Sequence, residues 1–144
     1  MNGVVIPRRD CQAEEQLQQR SSMRTPMIAI VDDDDVVREA MKSLMRSLGY
    51  NASTFGSAEE FLKSEQVSNT SCLITDVHMP RLSGLDLQDR LIARDHRIPI
   101  IFITAYPDEN VRRRAMKGGA LAFLGKPVNH HDLVDHLEKA LKAN

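Results

Sequence analysis

The chain has no tryptophan, only four phenylalanines and two tyrosines, and two cysteines among its 144 residues. Cys11 and Cys72 are far apart in the sequence, so they offer neither a disulfide framework nor a zinc site of the CxxC type. So few aromatic side chains also argue against a surface on which single-stranded nucleic acid would stack. This usage of cysteine is typical of a protein in the reducing cytoplasm.

The sequence also carries almost no net charge and no long apolar run. Its 19 Lys and Arg residues against 20 Asp and Glu residues give a formal charge of −1, which excludes a global attraction to DNA or to an anionic membrane. The apolar runs are too short to span a bilayer, and the first residues lack the basic and apolar regions of a secretory signal. We therefore expect a cytoplasmic protein that does not associate with membranes.

Two regions of different composition divide the chain. Residues 1–26 contain Pro7, Pro26 and a stretch rich in Gln and Glu, and they lack the apolar stripe that a helix would bury. We expect them to form a flexible N-terminal extension. Residues 27–144 alternate apolar runs with amphipathic segments, and the 42% apolar content of the chain is enough for the core of one domain.

Five short apolar runs alternate with five helical patterns in residues 27–144. The predicted strands cover residues 27–31, 50–55, 72–75, 99–104 and 121–124. Apolar residues recur at helical spacing between the strands, first as Val37, Met41, Leu44 and Leu48, and the SAEE segment at 57–60 has the spacing of a capping box. The alternation predicts an α/β fold, with a doubly wound parallel sheet of five strands and helices on both faces. The glycine-rich motifs of dinucleotide and P-loop sites are missing from the sequence.

Polar side chains follow the ends of four predicted strands. They are Asp32 and Asp33 after strand one, Asp76 after strand three, Thr104 at the end of strand four and Lys126 after strand five. Since ligands bind at the carboxyl ends of such strands, we expect these five side chains to converge. Clustered carboxylates repel one another unless a cation such as Mg²⁺ lies between them. A carboxylate beside Mg²⁺ is a competent nucleophile toward phosphorus, and a hydroxyl and an ammonium would neutralise phosphoryl oxygens.

Asp34 and Asp35 complete a run of four acidic residues. Because strand one ends at Val31, we assign only the first two acids of the run to the crevice. Asp34 and Asp35 then fall at the start of the first helix, where free N–H groups and the helix dipole favour side-chain acceptors and negative charge.

Four segments, IVDDDD, LITDVHMPRLSG, PIIFITA and FLGKP, occur in this order at the ends of four predicted strands. In order and spacing they resemble the receiver domain of two-component response regulators, over residues 27–142. The SAEEFL and MPRLSGLDL segments are similar to the FixJ-type branch of that family. The resemblance implies a flavodoxin-like receiver fold with strand order 2-1-3-4-5. It also implies a signalling function in which the chain accepts a phosphoryl group.

The resemblance assigns the phosphoacceptor and the metal ligands. Asp76 would be the phosphoacceptor. Mg²⁺, or Mn²⁺ in its place, would be held by Asp33, by Asp76 and by the main-chain carbonyl of His78. Asp32 would act on the metal mainly through bound water.

Further roles follow from the same resemblance. Thr104 and Lys126 would bind phosphoryl oxygens, and the peptide bond after Lys126 would be cis. Thr104 and Phe123 would form the switch that changes the surface of helix four, strand five and helix five. His78 and Tyr106, two positions beyond the phosphoacceptor and Thr104, would tune the rate of dephosphorylation.

The implied partners are a sensor histidine kinase or a phosphotransfer protein, and an unidentified downstream protein. A homodimer through helix four and strand five would suit this branch. The implied chemistry is limited to the chain's own phosphoryl transfer and autodephosphorylation, so we do not expect an enzyme that acts on other substrates. FixJ-type regulators usually continue into a helix-turn-helix. None follows Asn144, so we expect a stand-alone receiver without direct DNA binding.

Two other functions stay open at this point. The IVDDDDV segment fits the nucleophile motif of haloacid-dehalogenase-like, Mg²⁺-dependent phosphatases, with Asp32 as nucleophile and Asp34 as general acid and base. Thr75 or Thr104, and Lys126, would then supply the later motifs. Such enzymes need a further acidic pair after the lysine, which the last helix does not supply, and Asp76 would have no role in them. The third function is an interaction module that does not depend on phosphorylation, and the intact set of crevice residues argues against it.

Overall fold

A computed structural model of the chain describes residues 25–142. Its elements are β1 (Met27–Val31), α1 (Asp35–Ser47), β2 (Asn51–Phe55), α2 (Ala58–Lys63), β3 (Cys72–Asp76), α3 (Gly84–Ala93), β4 (Ile100–Thr104), α4 (Glu109–Lys117), β5 (Ala122–Gly125) and α5 (His130–Lys142), with a short 3₁₀ helix at Val67–Asn69. The predicted extension at 1–26 lies almost entirely outside the described residues.

The five strands form one parallel sheet in the order β2-β1-β3-β4-β5. This confirms the predicted fold class and strand order. The strand predicted at 50–55 is β2, and it lies at an edge of the sheet. The strands β1, β3 and β4 lie inside the sheet, and nearly all of their residues are buried, as expected for a sheet covered on both faces.

Each face of the sheet has its own apolar core. Successive strand residues point to opposite faces, so Ala29 and Val31 belong to the core under α2, α3 and α4. Ile28 and Ile30 belong to the core under α1 and α5. Cys72 lies in this second core as a free thiol. Burial raises the pKa of the Cys72 thiol to about 12, so it remains protonated.

The helices differ in detail from the predicted apolar stripes. In α1 the buried side chains are Met41 and Met45, while Leu48 at the end of the helix is exposed. Ile92 of α3 is exposed as well, although it is an apolar residue of that helix. A stripe fixes which residues share a face, but packing against the sheet decides which of them is deepest. Within residues 25–142, no helix combines the length and the apolar character that crossing a membrane requires.

The helix starts follow the polar residues that the sequence offered. Asp34 caps α1 and accepts hydrogen bonds from the N–H groups of Val36 and Val37, which confirms the prediction for the third acid of the run. Ser57 caps α2 as predicted. The second half of its predicted capping box is wrong, because the Glu60 carboxylate accepts the N–H of Gly56 and not that of Ser57.

Candidate functional site

The carboxyl ends of β1, β3, β4 and β5 meet at one edge of the sheet, and the register places their polar residues side by side. Val31 on β1 is level with Thr75 on β3. Asp32 and Asp76, the next residues along each chain, therefore lie beside one another at the edge of the sheet. Thr104 is level with Gly125, and the N–H of Lys126 donates to the carbonyl of Thr104 at 2.8 Å. The structure therefore brings the predicted crevice residues together.

Lys126 joins the two buried carboxylates of this crevice. Its Nζ atom lies 3.2 Å from Oδ2 of Asp32 and 3.2 Å from Oδ2 of Asp76. Both aspartates are buried, and the lysine is half-buried. The peptide bond between Lys126 and Pro127 is cis, as the resemblance implied. One ammonium thus stands against two carboxylates, and the exposed carboxylate of Asp33 lies beside them.

Main-chain N–H groups fix the other oxygen of each buried carboxylate. Oδ1 of Asp32 accepts the N–H of Asp34 at 2.9 Å, and Oδ1 of Asp76 accepts the N–H of His78 at 3.2 Å. Each carboxylate is therefore held between a loop N–H and the lysine ammonium, and its position depends on the local backbone as much as on its own strand.

The proton affinities of Asp32 and Lys126 are shifted by this arrangement. Burial raises the pKa of Asp32 above its ordinary value, and repulsion by Asp76 adds to the increase. Hydrogen bonds to Asp32 oppose this increase without cancelling it. Burial alone would lower the pKa of Lys126, but its bonds with Asp32 and Asp76 and their negative charge raise it. Lys126 therefore stays protonated at neutral pH.

The donor set at this edge suits a hard divalent cation. Oxygen atoms of Asp32, Asp33 and Asp76 lie within 4.8 Å of one another, and this is the group of potential ligands found in the described residues. Carboxylate oxygens and water are the ligands that Mg²⁺ prefers. Three carboxylates also exceed the charge of one lysine, so a cation would relieve the repulsion between them. The role of the main-chain carbonyl of His78 as a metal ligand stays a prediction.

The remaining predicted residues lie around the mouth of the crevice. Thr104 is buried, and its Oγ1 accepts the N–H of Tyr106 at 3.1 Å. The rings of Tyr106 and His78 meet edge to face with centroids 6.1 Å apart. Phe123 is half-buried on β5, 6.5 Å from the ring of Phe102. The structure thus places both tuning candidates at the mouth and the switch candidate on the neighbouring strand.

The residues that the phosphatase alternative requires are used differently. Both contacts of Asp34 are with N–H groups of the first turn of α1, so its carboxylate caps a helix and is not set to act as a general acid and base. The hydroxyl of Thr75 donates to the main-chain carbonyl of Asp76. This geometry does not favour the phosphatase hypothesis.

Several residues at the site were not singled out in the sequence. Nη1 of Arg38 donates to the main-chain carbonyl of Asp32 at 2.7 Å. Arg81, in the loop after β3, pairs with Glu59 at the start of α2. Gly84 packs against the backbone of Asp76. The spacing of Arg38 from Asp32, a little more than one turn into α1, is a signal that could have found it. The other contacts depend on tertiary geometry.

Comparison with known proteins gives one consistent family. The model of the response regulator receiver domain matches residues 28–138. Nodulation protein W of Bradyrhizobium diazoefficiens is 46% identical over 109 residues, which are 76% of this chain and 48% of that protein. The transcriptional regulatory protein FixJ of the same species is 33% identical over 115 residues, covering 80% of this chain and 56% of that protein.

A solved structure agrees with these sequence relatives. The response regulator StyR superposes with a TM-score of 0.78 at 42% identity, and the match covers 83% of this chain and 61% of that chain. This chain spans about half the length of the curated relatives that it matches. The shared part contains the whole crevice, from Asp32 to Lys126.

Proposed function

The chain belongs to the response regulator receiver domain family, and on this premise we propose that it accepts a phosphoryl group on Asp76 in two-component or phosphorelay signalling. The observation that carries the proposal is the setting of the Asp76 carboxylate. It lies at the end of a buried strand, between the ammonium of Lys126 and the N–H of His78, with two further carboxylates beside it.

The proposed reaction uses a carboxylate oxygen of Asp76 as the nucleophile. With a phosphohistidine donor, the P–N bond breaks, an acyl phosphate P–O bond forms on Asp76, and the imidazole leaves. Attack by water on phosphorus later returns the carboxylate and inorganic phosphate. These two steps, phosphoryl transfer and autodephosphorylation, are the only chemistry that we assign to the chain, and receiver domains are usually signalling modules rather than enzymes.

Lys126 and Thr104 supply charge and a hydrogen bond to the transferred group. Lys126 already lies at hydrogen-bonding distance from Asp76, so it is placed to neutralise an oxygen of a phosphoryl group carried there. The hydroxyl of Thr104 uses a lone pair to accept the N–H of Tyr106, which leaves its proton free to donate to a second phosphoryl oxygen. His78 and Tyr106 flank the mouth, where they would govern the approach of water.

Receiver domains bind Mg²⁺ at an acidic pocket, and Asp32, Asp33 and Asp76 fit this role here. We propose that Asp33, Asp76 and the carbonyl of His78 hold Mg²⁺ or Mn²⁺ directly and that Asp32 does so through water. The bound cation would neutralise charge on the phosphoryl oxygens. Asp32 would also keep Lys126 oriented through their 3.2 Å contact.

The protein that donates the phosphoryl group has to reach this crevice. An apolar groove beside the crevice offers a docking surface for it. The groove has a volume of about 530 Å³ and shares Lys126 with the crevice. Its wall includes Val36, which is 78% exposed, and Pro127. We propose that a sensor histidine kinase or a phosphotransfer protein covers this groove, because a partner seated there places its phosphohistidine against Lys126. Such partners would place the chain in the cytoplasm.

Phosphorylation would be read out through the ends of β4 and β5. Thr104 ends β4 and Phe123 lies on the adjacent β5, so a movement of the hydroxyl toward a phosphoryl group opens space for the ring. We propose that this pair shifts a two-state equilibrium of the surface formed by α4, β5 and α5. An unidentified downstream protein, or a second copy of the chain, would bind that surface.

The test is the intact mass of the protein after incubation with Mg²⁺ and acetyl phosphate. The parent and Asp89→Asn, a control that changes an exposed acid on α3, should gain one phosphoryl group, and Asp76→Asn should not. A gain in Asp76→Asn would move the acceptor to another residue, Asp32 first. If no protein gains mass, and beryllofluoride changes no resonance in the NMR spectrum, the chain is an interaction module that does not depend on phosphorylation.

A further inference from the structure

An ion pair at the carboxyl edge of the sheet joins the loop after β3 to the first turn of α2. Nε of Arg81 lies 3.0 Å from Oε2 of Glu59. Arg81 belongs to the loop that joins β3 to α3, and Glu59 stands in the first turn of α2. The Arg81 side chain is 76% exposed, whereas that of Glu59 is 26% exposed. The pair therefore ties the loop after the phosphoacceptor strand to a separate helix.

The carboxylate of Glu59 depends on this contact. Its second oxygen, Oε1, is buried and has no hydrogen-bond partner among the described residues. A buried acceptor without a partner is costly. The ion pair with Arg81 is the interaction through which the structure compensates this charge.

Arg81 also has an unusual backbone. Its φ angle is 66°, in the left-handed region that residues with a β-carbon rarely adopt. Such strain persists only where surrounding contacts hold it. Since most of the Arg81 side chain is exposed, Glu59 is the contact that holds this side chain in place.

The loop that carries Arg81 controls the setting of the phosphoacceptor. The N–H of Gly84 donates to the carbonyl of Val77 at 2.8 Å and closes the loop, and Ser83 caps α3 in a reciprocal capping box. Between these fixed ends, the N–H of His78 donates to Asp76 Oδ1. Arg81 anchors the middle of the loop, so its release would loosen His78 and the main-chain atoms next to Asp76.

We propose that Arg81 and Glu59 are positioning residues, a clamp that holds the β3–α3 loop in the arrangement that binds the divalent cation beside Asp76. This inference rests on the proposed function for the identity of the cation. It concerns residues that touch neither the cation nor the phosphoryl group, and that act through the backbone of His78.

A second ion pair, next to the other left-handed residue with a β-carbon in the described part of the chain, provides a control. Asp95 has a φ angle of 60°, and its carboxylate lies 3.4 Å from Nε of Arg97. Both side chains are exposed. This pair follows α3 and precedes β4, at the edge of the sheet opposite the crevice. Arg97→Asn therefore removes an exposed ion pair from a left-handed turn without touching the loop after β3.

The experiment compares the parent with Glu59→Gln, Arg81→Asn, their combination, Arg81→Lys and Arg97→Asn. Asparagine tolerates the left-handed conformation, so Arg81→Asn removes the charge without new strain. Mg²⁺ affinity is measured by calorimetric titration with magnesium chloride. Hydrogen exchange of the amides of residues 78, 79 and 81–83 is measured in the metal-free protein.

We expect each single clamp variant to weaken Mg²⁺ binding about three- to tenfold, at or below the range for residues that orient metal ligands. Exchange of the amides of residues 78, 79 and 81–83 should become faster. The combined variant should be no worse than either single change, because both remove the same pair. Arg81→Lys should bind Mg²⁺ more tightly than Arg81→Asn but less tightly than the parent. Arg97→Asn should behave as the parent.

Additive losses of Mg²⁺ affinity in the combined variant would overturn the proposal. So would a lower melting temperature with unchanged Mg²⁺ affinity and unchanged amide exchange, because the pair would then be an ordinary structural ion pair. If the parent itself binds no Mg²⁺, the metal assignment of the proposed function fails. The exchange measurement in the metal-free protein still decides whether Arg81 and Glu59 hold the loop.

Discussion

Gly84 lies against the main-chain carbonyl of Asp76 so closely that a β-carbon at position 84 would stand 2.2 Å from that oxygen. The same β-carbon would also be 3.1 Å from the α-carbon of Val77. Both neighbours are backbone atoms at the end of β3, so they cannot move aside as a side chain would. The first turn of α3 therefore packs directly on the residue that we propose as the phosphoacceptor.

We predict that Gly84→Ala destabilises the protein by about 1–3 kcal/mol, the usual cost of overpacking, and slows phosphorylation of Asp76. Alanine normally stabilises a helix relative to glycine, so a loss of stability would report on the close approach. Urea unfolding measures the first effect and acetyl phosphate labelling the second. Gly56→Ala is the control, because its β-carbon would meet only the ends of two flexible side chains, Arg38 at 3.5 Å and Glu60 at 3.6 Å. Equal stability of the parent and Gly84→Ala would show that the contact relaxes freely.

Neighbouring acids of the DDDD run should give opposite results. Asp33 is exposed and belongs to the carboxylate group, so Asp33→Ala should abolish Mg²⁺-dependent phosphorylation and leave the unfolding free energy unchanged. Asp34 caps α1, so Asp34→Ala should lower the unfolding free energy by about 1 kcal/mol and retain Mg²⁺ binding. Calorimetric titration and urea unfolding of both variants test this. Unimpaired labelling of Asp33→Ala would contradict the metal assignment.

Asp32 should make the metal-free protein less stable as the pH rises. Its pKa is raised in the folded state by burial, so between the unfolded and folded pKa values the folded state binds more protons. Stability therefore falls as the pH rises through this window, and the cost remains at neutral pH. Asp32→Asn removes the cost and keeps an oxygen for the N–H of Asp34.

At pH 7 in a chelator, Asp32→Asn should be more stable than the parent by about 1 kcal/mol, a typical magnitude for one substitution. The difference should shrink as the pH is lowered through the raised pKa, because the parent aspartate becomes protonated. Urea unfolding at a series of pH values measures both. Asp89→Asn, an exposed control, should follow the parent. A parent that is more stable than Asp32→Asn at neutral pH would show that the contact of Asp32 with Lys126 outweighs the cost of burial.

The fold could be predicted from the sequence because its signals are local. Apolar runs such as 27–31 mark buried strands, and parallel strands place their carboxyl ends at one edge, so Asp32, Asp76 and Lys126 had to be near one another. The end of β1 at Val31 even resolved the run of four acids. It left the first two at the crevice and the third as a helix cap.

Other features could not be predicted because they depend on tertiary distances. Met45 is buried where Leu48 is exposed, since the rotation of α1 against the sheet decides which side of the stripe is deepest. The approach of Gly84 to Asp76 and the pairing of Arg81 with Glu59 join separate elements. Nothing in the local pattern around these residues marks such contacts.

Two hydrogen bonds hold Thr104 at the crevice. It is buried at the end of β4, and its main-chain carbonyl accepts the N–H of Lys126 at 2.8 Å. Its hydroxyl oxygen accepts the N–H of Tyr106 at 3.1 Å. The backbone contact would survive the loss of the hydroxyl. Thr104→Val keeps the shape of the side chain, and the change in unfolding free energy should stay within about 1.5 kcal/mol, the net worth of a typical hydrogen bond.

We predict that Thr104→Val still accepts a phosphoryl group on Asp76 but no longer transmits it to Phe123. The nucleophile and Lys126 are intact in this variant, whereas the hydroxyl that would move toward the phosphoryl group is gone. Beryllofluoride should shift the NMR resonances of the Phe123 ring in the parent and in Thr104→Ser, which keeps a hydroxyl. The shift should be lost in Thr104→Val. An undiminished shift in the valine variant would mean that the ring responds to the phosphoryl group by a route that does not involve Thr104.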